Sequence, residues 1–140
     1  MEAKIKKALI ENVVAGNPFS QYVGMEVLEV QEGYALGRIH FEDRHKNFYG
    51  GMHGGCSYAL ADTIGGIAAL TYGYYVTTVN SSINYLLPIQ NTEYVYCEAQ
   101  VVQHGNRISV FDVKVKNDEK QLLADGSFTY YSLNRELKMQ

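Results

Sequence analysis

Between Gly55 and Leu70 the chain reads Gly-Cys-Ser-Tyr-Ala-Leu-Ala-Asp-Thr-Ile-Gly-Gly-Ile-Ala-Ala-Leu. Alanine, leucine, isoleucine and glycine fill nearly every angle of a helical wheel, which predicts a helix buried all round rather than an amphipathic surface helix. Such a helix has to be wrapped by other elements. The rest of the chain is constrained by having to supply the wrapping.

Strand signals supply most of it. Met25 to Gln31 and Tyr34 to Phe41 flank Glu32-Gly33, a two-residue hairpin signal. Val76 to Leu87 alternates Val79, Ser81, Ile83 and Tyr85 against Thr78, Asn80, Ser82 and Asn84, until Pro88 ends it. Tyr94 to Gln103 and Arg107 to Lys116 flank His104-Gly105-Asn106, a tight hairpin. A turn at Asn117 to Lys120 leads into a last strand at about Leu122 to Tyr131. Ahead of the strands, Ile5, Ala8, Leu9 and Val13 recur at helical spacing and Gly16 with Pro18 supplies a stop, so residues 3–15 predict a surface helix within the first sixteen residues. Phe19 to Gly24 reads as a short helical turn or an irregular link, and Arg44 to Met52 as a loop.

Helix, two strands, a buried helix and four strands make a single α+β domain over residues 1–140, with an antiparallel sheet curled around the central helix. A sheet covers one side of a helix. The other side needs a lid, and a second copy of the chain is the simplest one. Composition removes several alternatives. The net charge of −3 offers no electrostatic footprint for nucleic acid. No run of eighteen apolar residues is present to span a membrane, and the N-terminal stretch lacks the apolar block and cleavage site of a secretory signal. Cys56 and Cys97 have no redox or metal-pair spacing, so an intracellular, cytoplasmic setting is expected.

The chemistry gathers in Asn47 to Thr63, Asn-Phe-Tyr-Gly-Gly-Met-His-Gly-Gly-Cys-Ser-Tyr-Ala-Leu-Ala-Asp-Thr. Gly50, Gly51, Gly54 and Gly55 let a ligand approach the main chain closely. Gly54 and Gly55 fall where the helix starts, and their N–H groups, with the helix dipole, favour negative charge. Asp62 lies within the apolar helix with no Lys, Arg or His three or four residues away, while Gly65 and Gly66 remove bulk beside it. A carboxylate so placed is costly unless it is hydrogen-bonded, paired or facing a wet cavity. Bonds from Thr63 or Ser57 would give it a purely structural role. His53 beside Cys56 invites a nucleophilic-thiol reading, but no third residue orients the histidine and a packed cysteine is the better expectation. His40, His45, His53 and His104 lack close zinc-ligand spacing, so no metal and no cofactor are expected.

The pattern Asn-x-x-Gly-x-x-His-Gly-Gly followed by Leu-Ala-Asp resembles the hotdog-fold acyl-CoA thioesterases, of the phenylacetate-pathway and hydroxybenzoyl-CoA thioesterase type. The resemblance covers roughly residues 20–132 and includes the Asn-Tyr-Leu-Leu-Pro ending of the strand after the helix. It implies a hotdog fold of five or six strands and hydrolysis of a small aryl-acyl or medium-chain acyl-CoA. It implies Asp62 as general base or nucleophile, the Gly54 N–H as oxyanion donor and Asn47 as a group that holds the thioester carbonyl. Thr78 falls where relatives carry a water-orienting hydroxyl, and His53 shapes the loop. The resemblance further implies a homodimer, able to pair into a dimer of dimers, in which Gly54 and Asn47 of one copy meet Asp62 and Thr78 of the other. Gly55, Phe48, Tyr49, Tyr58 and Tyr85 are expected at the substrate, with Lys46, His104 and Arg107 as candidates for the phosphates of coenzyme A. The competing readings are a hotdog-fold hydratase or dehydratase and a non-catalytic acyl-CoA-binding protein.

Overall fold

A computed structural model describes residues 2–138, so the expected domain of 1–140 includes three terminal positions outside the described residues. Strands β1 (Met25–Gln31), β2 (Tyr34–His40), β3 (Tyr74–Tyr85), β4 (Tyr94–His104), β5 (Ile108–Lys116) and β6 (Leu122–Glu136) form one sheet in the order β1-β2-β4-β5-β6-β3. Every neighbouring pair is antiparallel. The expected α+β hotdog architecture is therefore present, and β1 and β3 are its two edges.

The helices are α1 (Ala3–Ala8), α2 (Pro18–Val23) and α3 (Gly54–Leu70). Helix α3 lies against the inner face of the sheet because both surfaces are apolar at the right period. Ala35 and Ile39 of β2, Val95, Cys97 and Ala99 of β4, and Phe111, Val113 and Val115 of β5 alternate inward and are buried. Leu60, Ala61, Ile64, Ile67 and Ala68 of α3 meet them and are equally buried. Each large aliphatic side chain so buried contributes about 1.5–3 kcal/mol.

The expectation that α3 is buried all round is corrected. Gly55 is exposed, and Ala59, Asp62, Gly66 and Leu70 are only partly covered. These positions recur three or four residues apart, so they form one stripe along the helix. The sheet curls around the opposite side and cannot reach it.

Two local expectations also change. The N-terminal helix is α-helical only to Ala8, then widens into a π-helical turn over Leu9–Val13. It is not wholly a surface element, since Leu9 and Val14 enter the core. Of the two readings of Phe19 to Gly24 the helical turn holds, as α2, because the Asn17 side chain accepts the Ser20 N–H, Pro18 opens the first turn and Gly24 closes it at φ 87°.

In β3 the simple alternation fails. The pairing with β6 shifts register between Thr78 and Asn80, a bulge that inserts Val79 as an extra residue. Thr78 therefore turns to the same side as Ser81 and Tyr85, and all three bond to α3.

Ile64 sits at the centre of the helix–sheet contact with no exposed surface. Ile64→Ala should cost about 2–5 kcal/mol of stability. A urea unfolding curve with an unmoved midpoint would contradict this account of the core.

Candidate active site

At the start of α3 the hydrogen bonds can be counted donor by donor. His53 is the N-cap: its Nδ1 accepts the Gly55 N–H at 2.8 Å. Its carbonyl accepts the N–H groups of Cys56 at 2.9 Å and Ser57 at 3.3 Å. Of the first four helical N–H groups, that of Gly54 alone has no acceptor among the described residues. It therefore points, with the helix dipole behind it, at whatever occupies the space ahead of the helix. His53 works as a cap, which requires the lone pair on Nδ1 and the proton on Nε2.

The segment before the helix is tethered on several sides. The His53 N–H bonds to the His45 carbonyl at 2.8 Å, and the Met52 N–H to Ile89 at 2.9 Å. His45 is itself buried, accepting the Glu42 N–H at 3.0 Å and bonding to the Val23 carbonyl at 2.6 Å. Asn47 organises the turn, its Oδ1 accepting the N–H groups of Tyr49 at 2.8 Å and Gly51 at 3.2 Å. The amide oxygen is thus committed, and the Nδ2 donor has no acceptor among the described residues. The Gly54 carbonyl receives the hydroxyls of Tyr85 at 2.8 Å and Ser57 at 3.0 Å, and an added Cβ at Gly54 would stand 3.3 Å from the Tyr85 ring.

Asp62 lies two turns further along the same helix. Thr78 Oγ1 donates to Asp62 Oδ1 at 2.8 Å. The Tyr130 hydroxyl donates to the Asp62 carbonyl at 2.9 Å and approaches Oδ1 at 3.4 Å. Burial, then the neighbouring Asp62 charge, pushes the Tyr130 phenol far above its ordinary range, so it remains a donor at every working pH. Oδ1 is thus held by two hydroxyls, while Oδ2 has no donor among the described residues. The carboxylate opens on a cleft of about 920 Å³ that also exposes Thr78, Gly66 and Tyr130.

Tyr130 escapes a reading of the sequence. It lies on β6, sixty-eight residues from Asp62, and its inward direction follows only from the alternation it shares with Phe128. The other expected substrate residues are spread out within one copy. Phe48 and Tyr49 stand at the loop tip, 97% and 89% exposed, and pack edge-to-face on each other. Tyr58 packs on Phe128 and bonds to Ser81. Lys46 pairs with Asp43 at 2.8 Å, His104 stacks on Tyr72 at 3.6 Å, and Arg107 donates to the Tyr131 hydroxyl at 3.1 Å. None of these joins Asp62 in the cleft within a single copy.

The site thus combines a strand-wrapped helix, an N–H at its start without an acceptor among the described residues, and a half-solvated acid in its middle. The family model of the thioesterase superfamily matches residues 49–124, more than half of the chain, and the protein belongs to that family and is a thioesterase. A relative from Archaeoglobus fulgidus, provisionally named an esterase, is 30% identical over 79% of this chain and 71% of its own. The acyl-coenzyme A thioesterase PaaI of Escherichia coli is 24% identical over 73% of each chain. Among solved structures, a Streptococcus mutans protein bound to acetyl CoA is 28% identical with a TM-score of 0.77, covering 81% of this chain and 92% of that one.

The site also bears on Cys56. Burial raises its thiol above the ordinary range, outweighing the nearby Arg44 charge. Less thiolate is then present near neutrality, so iodoacetamide at pH 7 should modify Cys56 more slowly than a free cysteine in solution. Rapid, selective alkylation of Cys56 would return a thiolate nucleophile to consideration.

Proposed function

We propose that the protein hydrolyses acyl-CoA thioesters at a site completed by two copies of the chain, with Asp62 activating the attacking water or attacking directly. One observation carries the reading. The unpartnered Gly54 N–H and the open Asp62 carboxylate are eight residues apart on one helix, about 12 Å along its axis. A carbonyl has to lie within about 3 Å of both an oxyanion donor and a base, so one helix cannot serve it alone. Two helices packed through their uncovered stripes can, the start of one facing the middle of the other.

The edge strand supports the same packing. β3 carries a long row of unpaired backbone groups with Val79 and Tyr85 exposed, a surface that strands of a second copy extend readily. Such a contact is two-fold and gives two equivalent sites. Coenzyme A as the thiol follows the Escherichia coli relative's name and the acetyl CoA held by the Streptococcus mutans protein.

In the base mechanism, water adds to the thioester carbonyl as Asp62 Oδ2 takes its proton. Thr78 and Tyr130 keep Oδ1 occupied, which orients the free oxygen toward the water. The oxyanion forms against the Gly54 N–H and the Asn47 Nδ2 group, donors of a kind worth about 3–4 kcal/mol. The C–S bond then breaks, the departing thiolate recovers the proton from Asp62, and acid and thiol leave. Direct attack by Asp62 would form an anhydride that water hydrolyses. A hydratase would instead add water across a carbon–carbon double bond and leave the thioester intact, so thiol release separates the two readings.

Asp62→Asn should fold as stably as the parent and still bind acyl-CoA, while thiol release falls at least about a hundredfold. Gly54→Val should lose a similar factor by crowding Tyr85 and displacing the N–H. Mixed after unfolding and refolding together, the two inactive variants should regain about a quarter of parental activity. Half of the randomly formed dimers are mixed, and each of those holds one intact site. Failure of the mixture to recover, with mixed dimers present, would place the whole site within one copy. Near-parental turnover by folded Asp62→Asn would remove the acid from the reaction.

A further inference from the structure

From Glu42 to Gly50 the chain runs along the surface, and His45 is the one buried residue there, 4% exposed. An apolar side chain would fill that space without needing partners, whereas a buried imidazole costs stability unless its nitrogens are hydrogen-bonded. Both of them are. The Glu42 N–H can only donate, so Nδ1 accepts it at 3.0 Å. The Val23 carbonyl can only accept, so Nε2–H donates to it at 2.6 Å. His45 is therefore neutral, with its proton on Nε2, the same form that His53 takes as the cap of α3.

These two bonds hold more than a side chain. Residues 45–53 make a short hairpin: the His53 N–H bonds to the His45 carbonyl at 2.8 Å, Lys46 and Met52 form a bridge, and the Asn47 N–H bonds to the Gly51 carbonyl at 2.7 Å. One leg carries Asn47, and the other leads directly into Gly54. The second leg is fixed by Met52, which is buried and bonds through its N–H to the Ile89 carbonyl. The first leg is anchored through the His45 ring. Val23 ends α2, where the last carbonyls lack intrahelical partners, so His45 ties the hairpin to the end of that helix. Arg44 adds a bond to the neighbouring Tyr22 carbonyl.

We propose that His45 is a positioning residue for the reaction, whose ring clamps the hairpin to α2 and so sets where the Gly54 N–H and the Asn47 Nδ2 group stand. This role rests on the thioesterase reading above. An oxyanion donor has to lie about 2.7–3.1 Å from the developing charge, and a misplacement of about 1 Å by a distant change can cost a hundredfold. The Gly54 N–H lies in the plane of the His53–Gly54 peptide, so its aim follows the His53 main chain. Losing either His45 bond loosens the carbonyl that holds the His53 N–H, one residue before the donor. A phenylalanine or leucine would occupy the same space. Only a group that accepts on one side and donates on the other joins Glu42 to Val23.

The test compares the full-length parent with His45→Phe, His45→Gln and Gly54→Val, measuring thiol release from a panel of acyl-CoAs and amide hydrogen exchange on each folded protein. Phenylalanine keeps a ring but neither accepts nor donates, so kcat should fall about ten- to a hundredfold with KM changed less than about twofold. Glutamine offers both an acceptor and a donor and should regain most of that loss. Exchange at the His53 amide should quicken in His45→Phe and return toward the parental rate in His45→Gln. Added to Gly54→Val, His45→Phe should cost less than about threefold more, since the donor it places is already displaced. Parental kcat per folded molecule in His45→Phe would overturn the role, as would a loss that multiplies in full with that of Gly54→Val. Should His45→Phe fail to fold, His45→Asn replaces it. Its amide reaches the Glu42 N–H but not Val23, and parental kcat there would overturn the role equally. A parent that releases thiol from none of the substrates would fail the thioesterase reading itself. His53 exchange needs no turnover, so quickened exchange would still support the clamp and an unchanged rate would overturn it.

Discussion

The contact between α3 and the concave face of the sheet is the constraint on which the rest depends. Ile64, Leu60 and Ile67 are buried and hold the helix against β2, β4 and β5. A curved sheet can enclose only one side of a cylinder, and the same packing that stabilises the fold leaves the stripe Gly55, Ala59, Asp62, Gly66 and Leu70 partly uncovered. In most proteins such a stripe would be covered by another element of the chain. Here the N-terminal segment approaches it from one side and stops short, leaving a cleft where a carboxylate keeps water within reach.

Keeping Asp62 half-solvated resolves the energetic conflict of an acid in an apolar helix. Full burial of an unpaired carboxylate would cost several kcal/mol and drive it toward protonation. Two hydroxyl donors on one oxygen, with the other facing the cleft, make the ionised acid tolerable and keep it oriented. The start of the helix shows the converse economy. His53 captures three of the first four N–H groups through one side-chain nitrogen and one carbonyl, and the Gly54 donor is left over. Both leave a polar group without a partner among the described residues.

Much of this was legible in the linear chain. The apolar wheel from Gly55 onward announced the central helix, and the hairpin signals at Glu32-Gly33 and His104-Gly105-Asn106 located their strands closely. Alternation misled in β3, because a bulge changes the phase of a strand without leaving a local mark in composition. The period-two count sets Thr78 opposite Ser81 and Tyr85, whereas the bulge brings all three to one side. Alternation with Phe128 points Tyr130 inward, but nothing in the sequence ties it to Asp62. Its role depends on the order of strands in the sheet, which brings β6 beside β3 and over Asp62.

The sequence by itself determined the central helix, the strand-forming segments, the glycine-rich entry and the single acid, because each depends on residue periodicity or backbone freedom over a few neighbours. It also carried the family, through the spacing from Asn47 to Asp62. The tertiary structure decided which polar groups remain unpaired, which face of β3 meets the helix, and which of two adjacent glycines is needed for packing. Those outcomes depend on distances between segments far apart in the chain. A glycine at 65 and a glycine at 66 are the same letter, and only the position of the Tyr130 hydroxyl tells them apart.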